Sequence, residues 1–110
     1  NAVSFRFSDD HGLLLENIVW VELRRRGYEL YWLKGENECD FIAFEQGKVS
    51  MAIQVCWNLS DENREREFGG LMEACTSFPG STGYVLTLYQ EESPKGRIRV
   101  MPVWKWILER

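Results

Sequence analysis

Hydrophobic and polar positions follow two different periods along the chain, which predicts a succession of helices and strands. After Asp10, apolar residues recur at helical spacing, and Gly27 is suited to the left-handed conformation that ends a helix. The main buried face of this predicted first helix consists of Leu13, Val19, Trp20 and Leu23. Further apolar residues, Leu14, Leu15, Ile18 and Val21, widen that face, so we expect the helix to be covered on more than one side.

Three apolar segments then follow, with the spacing and residue types of β-strands: residues 28–33, 39–44 and 49–57. Short polar connections separate them, at residues 35–38 and 46–48, so the pattern predicts an antiparallel meander. The third segment is apolar almost throughout, which is typical of a strand at the centre of a sheet.

The second half of the chain continues the alternation of helix and strand. A second helix is predicted from an N-cap at Ser60 to Pro79-Gly80, with a buried stripe made of Phe68, Leu71, Met72 and Cys75. A strand at 84–89, a polar loop at 90–96, a short strand at 97–101 and a closing helix at 103–108 complete the prediction. This order predicts an α/β sandwich around a mixed sheet, formed by residues 1–110 as a single domain.

The charge balance argues against a large nucleic-acid-binding face. The chain carries 17 acidic and 13 basic residues, for a net charge of −4. An acidic domain repels phosphate at long range, although a local basic patch stays compatible with it.

The cysteines and the hydropathy pattern indicate a cytoplasmic protein. The three cysteines contain no CxxC pair and are odd in number, so neither a disulfide framework nor a zinc site is expected. No apolar run reaches the roughly 18 residues of a membrane span. The chain opens on Asn1-Ala2, without Met, which resembles the remnant of a cleaved tag and suggests a fragment of a longer protein.

Three polar residues stand where the pattern requires apolar ones. Glu16 lies on the apolar face of the first helix, Asp40 opens the second strand, and Gln54 interrupts the third. Burying such groups is costly unless they bind a metal, pair with a charge or form hydrogen bonds. Both interpretations, a ligand site and a purely structural role, stay open for all three residues.

Several stretches of the sequence resemble a known family. The stretches are GLLLENIV at residues 12–19, LRRRGYE at 23–29, ECDFI at 38–42, IQVCW at 53–57 and LSDENRERE at 59–67. Together they look like the C-terminal domain of unknown function of prokaryotic AAA+ ATPases, over residues 11–89. That domain is similar to the PD-(D/E)XK nuclease superfamily, so the resemblance implies a three-layer, restriction-endonuclease-like sandwich of order α-β-β-β-α-β.

The resemblance also implies where a nuclease site would lie. In that superfamily a helix Glu, a strand Asp and an E-x-K on the next strand hold Mg²⁺ or Mn²⁺ and activate water. Glu16 and Asp40 match the first two positions and are the implied metal ligands, whereas Gln54 replaces the Glu and Cys56 replaces the Lys. A cation from elsewhere could take over the lysine role; the candidates are Lys34, Lys48, Arg64 and Arg66.

A site with two of its four groups replaced predicts a noncatalytic accessory domain. It would dock to, or regulate, a preceding AAA+ domain of the same chain, with no cofactor bound. The alternative is a DNA-binding domain, with Arg64 and Arg66 as weak binding candidates, or a residual Mg²⁺- or Mn²⁺-dependent nuclease. A third interpretation is an α/β domain that needs no ligand. The sequence leaves the oligomeric state open.

Overall fold

The computed structural model describes residues 10–34 and 38–109. The helices are α1 (Asp10–Arg25), α2 (Arg64–Ser77) and α3 (Val103–Leu108). The strands are β1 (Glu29–Lys34), β2 (Glu38–Glu45), β3 (Lys48–Val55), β4 (Thr82–Thr87), β5 (Glu92–Lys95) and β6 (Ile98–Pro102). Within these residues, no helix has the length and apolar character required to cross a membrane.

The six strands form one mixed sheet in the order β1-β2-β3-β4-β6-β5. The first three strands form the predicted antiparallel meander. The chain then crosses over through α2, so that β4 runs parallel to β3, and β6 runs parallel to β4. A crossover connection of this kind is what parallel neighbours require. The mixed α/β architecture predicted from the sequence is therefore confirmed.

Helices cover both faces of the sheet, because side chains alternate between faces along each central strand. On one face, α1 and α3 bury Val19, Leu23 and Trp106 against Phe41 and Ile53. The other face is covered by α2, whose apolar residues pack on a second cluster: Leu71 and Ala74 lie against Ile42, Ala52 and Val85. This arrangement gives three layers and explains why the central strands are apolar on both sides.

The element boundaries follow the sequence pattern with a few corrections. Leu13 and Trp20 on α1 are only half-buried, and Met72 on α2 is exposed rather than buried. The segment predicted as a polar loop contains β5, an edge strand that includes Pro94. The sequence pattern does not predict this strand, because its four residues are all polar or proline. An edge strand of this composition has no buried face, so hydrophobic and polar residues do not alternate along it. The expected tag remnant and the turn at residues 35–37 lie outside the described residues.

The predicted cap of the second helix is wrong by three residues. The helix begins after Asn63, and Ser60 belongs to the preceding turn. Asn63 Oδ1 accepts a hydrogen bond from the Ser60 backbone N–H at 2.8 Å, and its Nδ2 donates to the Asn58 carbonyl at 3.0 Å. The side chain therefore stabilises the turn ahead of α2 rather than the first turn of the helix.

Arg26 joins the beginning of the fold to its end. Its Nη2 donates to the carbonyls of Trp106, Ile107 and Glu109 at 3.1–3.3 Å, and its guanidinium lies 4.5 Å from the centre of the Trp106 ring. Glu22 accepts from Arg26 Nε at 2.7 Å, and hydrogen bonds from Arg25 and Arg26 lower the pKa of this carboxyl. Arg25 and Arg26 are therefore structural, since both pair with Glu22 and Arg26 also binds carbonyls at the C-terminal end of α3.

Gly70 lets α2 approach the sheet closely. A Cβ atom at this position would lie 2.1 Å from the Glu38 carbonyl oxygen and 2.3 Å from Gln54 Nε2. Both neighbours are held in place, one as backbone and one as a buried side chain, so neither has room to move. The helix can pack at this distance only because the residue has no side chain.

We predict that Gly70→Ala destabilises the domain, although alanine is the better helix former. The added methyl group forces α2 away from β2 and β3, at a cost of about 2 kcal/mol or more in the free energy of unfolding. Chemical denaturation measures this loss. Thr76→Ala, at an exposed position of the same helix, is the control and should change stability by less than about 0.5 kcal/mol. Equal stability of the Gly70 variant and the wild type would contradict the close approach.

Candidate functional site

Three of the four positions implied by the resemblance, Asp40, Gln54 and Cys56, lie where β2 and β3 stop pairing through their backbones. The regular ladder reaches its last pair at Phe41 and Ile53. Beyond that pair, side chains replace the backbone carbonyls as hydrogen-bond acceptors. The Asp40 N–H donates to Gln54 Oε1 at 2.9 Å, and the Val55 N–H donates to Asp40 Oδ2 at 2.8 Å. The two strands are thus joined by side chains at the site itself.

The amide of Gln54 connects three elements. Its Oε1 accepts from Asp40 on β2, and its Nε2 donates to the Glu38 carbonyl at 2.7 Å and to the Glu67 carbonyl at 3.2 Å. We call this set of bonds the Gln54 bridge. Glu67 is the fourth residue of α2, so the bridge fixes the helix to the splayed ends of both strands. Both the donor and the acceptor atoms of the amide are engaged within the protein.

Asp40 is buried, with 2% of its surface exposed. Its Oδ2 accepts the Val55 N–H, so this oxygen satisfies a backbone donor that the interrupted ladder would otherwise leave unpaired. The sequence identified Asp40 as an unusual carboxylate at a strand start, and the structure gives it a local structural partner. The predicted role as a metal ligand is not tested by this contact.

Cys56, which the resemblance aligns with the lysine of the nuclease motif, is a neutral thiol. Its Sγ accepts a hydrogen bond from Asn63 Nδ2 at 3.4 Å. Burial, with a smaller contribution from the negative charge of Glu67, raises the pKa of the thiol to about 11. The group therefore carries no charge at neutral pH, and it offers neither a cation for a phosphate nor a thiolate nucleophile.

Glu16 comes from the opposite side of the sheet. Its carboxylate is buried, with 3% exposed, on α1, whose apolar neighbours pack on the face that α3 shares. Gln54, in contrast, faces the α2 layer through its bond to Glu67. Across residues 10–34 and 38–109, His, Cys, Asp and Glu side chains form no group of three or more that could hold a metal ion.

The candidate replacement cations differ in where their side chains lie relative to the site. Arg66, whose side chain is 69% exposed, contacts the Glu67 carboxylate at 3.1 Å, and its charge lowers the pKa of Cys56. Arg64 instead pairs with Glu92 on β5. Lys48 begins β3, about 20 Å along the strand from Gln54. The side chain of Lys34 lies outside the described structure. Among the candidates whose side chains the structure describes, Arg66 is the one that contacts a residue of the site.

Two residues at the site were missed by the sequence reasoning. Glu67 and Asn63 are not among the residues that the sequence analysis singles out. Glu67 is nevertheless buried, and its negative charge helps to raise the pKa of both Cys56 and Cys39. Glu67 lies four residues before Leu71, and Asn63 lies four residues before Glu67, so all three share one face at helical spacing. Extending the buried stripe of α2 towards its N-terminus would have found them.

We predict that Cys56 reacts slowly with thiol reagents in the native protein. With the pKa raised to about 11, the thiolate is scarce at about pH 8, and labelling should be on the order of 100-fold slower than in the unfolded chain. Mass spectrometry after labelling with an aromatic disulfide reagent locates the modified residue. The pKa of this thiol is higher in the folded chain than in the unfolded chain, where it is near 9. Its contribution to the stability of the fold is therefore fully present below about pH 9 and is lost as the pH rises towards 11. Rapid native labelling at Cys56 would contradict the neutral-thiol assignment.

Comparison with known proteins places the chain in a family whose function is not known. An uncharacterized protein of Methanocaldococcus jannaschii, MJ1544, is 34% identical over 119 residues; the match covers 96% of this chain and 26% of that protein. No solved structure gives a significant match. A family model described as a domain of unknown function, DUF4143, matches residues 11–106, which is most of the chain. The chain therefore belongs to the DUF4143 family of domains of unknown function.

Proposed function

We propose that this domain is a noncatalytic accessory module of a larger protein. The observation that carries the proposal is the Gln54 bridge. At the position where a nuclease has a metal-binding carboxylate, this chain has an amide whose two polar atoms bind Asp40, Glu38 and Glu67. A group engaged in three internal hydrogen bonds serves to hold elements together.

The charges around the bridge also favour a noncatalytic role. Hydrolysis of a phosphodiester requires positive charge to stabilise the transition state, from metal ions or from a positioned cation. Cys56 is neutral, and Arg66 is engaged with Glu67. Without these charges, the site lacks the main source of rate enhancement in this type of chemistry.

The proposed parent protein is an AAA+ ATPase, with this domain as a restriction-endonuclease-like scaffold beside the ATPase. The three-layer arrangement and the parallel pairing of β4 with β3 support the scaffold. The length of the relative supports a larger parent, since the match covers only 26% of it. Deleting this region from such a parent should change ATP hydrolysis or assembly. Unchanged hydrolysis and assembly would count against the proposal.

The Gln54→Glu variant distinguishes two hypotheses for this position: that its amide is structural, and that it is a degenerate metal ligand. A carboxylate cannot donate to the carbonyls of Glu38 and Glu67, so we predict a loss of about 1–3 kcal/mol in the free energy of unfolding. If the position were a vacant metal site, the new carboxylate beside Asp40 would instead bind Mn²⁺ and raise the melting temperature.

The measurement is thermal unfolding of wild type and variant, each with Mn²⁺ and with EDTA. Gln46→Glu makes the same chemical change in an exposed turn, and its stability should stay within about 0.5 kcal/mol of the wild type. We expect a destabilised Gln54 variant that Mn²⁺ does not rescue. If Mn²⁺ raises the melting temperature of the Gln54 variant alone, position 54 belongs to a metal site of the nuclease type. A purely structural role for Gln54 would then be contradicted.

The second candidate function is DNA binding with or without residual cleavage. The exposed guanidinium of Arg66 next to the site is the observation in its favour, and the net charge of −4 opposes it. We expect that labelled linear and branched DNA stays intact when it is incubated with the domain and Mn²⁺, compared with EDTA, on denaturing gels. Cleavage that requires Mn²⁺ and disappears in Asp40→Ala would overturn the noncatalytic proposal. A native-gel shift without cleavage, lost in Arg66→Ala, would establish a DNA-binding module.

A further inference from the structure

A polar pocket opens where the two helices on the α1 and α3 face of the sheet end. It has a volume of about 320 Å³. One wall comes from the end of α3 and from the segments that follow α1 and α3: Arg26, Tyr28, Trp106 and Glu109. Gly27, with φ of 91°, turns the chain sharply at the end of α1. The turn lets both Arg26 and Tyr28 reach the same pocket.

A β-bulge shapes the opposite wall, which consists of residues near the start of β3 and β4: Ser50, Met51, Thr82 and Tyr84. The neighbours Ala43 and Phe44 of β2 pair with Met51 and Val49 of β3, so Ser50 is an extra residue in the ladder. Consecutive residues of a regular strand point to opposite faces, whereas Ser50 and Met51 line the same pocket. The bulge therefore adds the hydroxyl of Ser50 to this wall.

The two charged residues of the lining are paired within the protein. Arg26 donates to Glu22 at 2.7 Å and to carbonyls at the end of α3. Glu109 accepts from Arg99 through both carboxylate oxygens, at 3.1 and 3.2 Å. Each positive charge is thus matched by a negative one. A ligand that suits these surroundings is uncharged, because a charged group buried here would lack a compensating partner.

The uncharged groups of the lining combine hydrogen-bonding hydroxyls with flat apolar surface. The hydroxyls belong to Tyr28, Ser50, Thr82 and Tyr84. A hydroxyl donates one hydrogen bond and accepts two, so such groups bind other hydroxyls in either direction. The tyrosine rings and the thioether of Met51 supply the apolar surface. A ligand complementary to both features carries hydroxyls around its edge and C–H groups on its faces.

We propose that this pocket binds a neutral, polyhydroxylated ring: a single monosaccharide unit. Ligand pockets commonly measure about 300–1,000 Å³, so a pocket at the lower end of that range holds one ring rather than a chain of them. The pocket also lies apart from the Gln54 bridge, roughly 13 Å along β3 and on the other face of the sheet. The proposal therefore does not rest on the noncatalytic function.

Titration followed by NMR of the isotope-labelled protein tests the proposal. The probes are glucose, galactose, mannose and N-acetylglucosamine, each as the free sugar and as the methyl glycoside, at up to about 50 mM. We expect a dissociation constant on the order of 1 mM for at least one of them, since the ligand is small. Its binding should shift the amide signals of Ser50, Met51 and Thr82. Melting temperatures are unsuitable here, because sugars raise them by exclusion from the protein surface without binding.

Ser50→Ala removes the hydroxyl that the bulge adds to the pocket. We expect this variant to bind the sugar at least about 5-fold more weakly, as the loss of one hydrogen bond predicts. Ser77→Ala makes the same chemical change at the exposed end of α2, on the other face of the sheet, and should bind like the wild type. The amide spectra of both variants verify that each is folded. Inorganic phosphate at the same concentration should leave the pocket amides unshifted.

The outcomes separate the sources of the sugar and decide the proposal. Equal responses to a free sugar and to its methyl glycoside assign the pocket to a sugar unit of a larger molecule, whereas a response to the free sugar alone assigns it to free monosaccharides. The proposal is overturned if none of the probes binds, if the shifted amides lie on another surface, or if phosphate shifts the same amides. Equal affinities of Ser50→Ala and the wild type would also overturn it.

Discussion

The Gln54 bridge is the interaction on which the candidate site depends. At that point the antiparallel strands β2 and β3 stop exchanging backbone hydrogen bonds, and α2 packs closely against the gap between them. Backbone groups exposed in this way must find partners inside the protein, because an unpaired buried N–H or carbonyl costs about 1–3 kcal/mol. The amide of Gln54 and the carboxylate of Asp40 supply those partners. Gly70 completes the arrangement by giving the amide room beneath α2.

The chemistry of the residue at position 54 matters for this bridge. A carboxylate there could accept hydrogen bonds but could not donate them to the carbonyls of Glu38 and Glu67. An amide does both, so it joins the elements directly. Cys56, likewise, fills its space as a small neutral group beside Asn63. Both residues are uncharged at neutral pH, and both bind neighbouring groups at the strand ends.

Much of the fold could be predicted from the sequence because its central elements are buried on defined faces. The periodicity located α1, the meander and α3, since burial leaves a clear pattern at those positions. It failed for β5, where every side chain is polar or proline, and for the start of α2, where Asn63 serves a turn. Glu16, Asp40 and Gln54 were recognised as polar residues in apolar settings, and all three are buried. Their partners could not be predicted, since Gln54 meets Glu67 only through a crossover that no local pattern encodes. The burial of Glu67 itself could be predicted, because this residue lies four positions before Leu71 on the buried stripe of α2.

Arg26 has a consequence for how the domain forms during synthesis. Its guanidinium contacts three carbonyls that belong to the last residues of the described chain, about 80 positions later. Until those residues have left the ribosome, Arg26 lacks these three acceptors and keeps only its pairing with Glu22. A nascent chain halted before Val103 would also expose the apolar surface that α3 covers, including the contacts of Leu23 and Phe41. The junction between the first and last helices thus ties the completion of this domain's core to the arrival of its last helix.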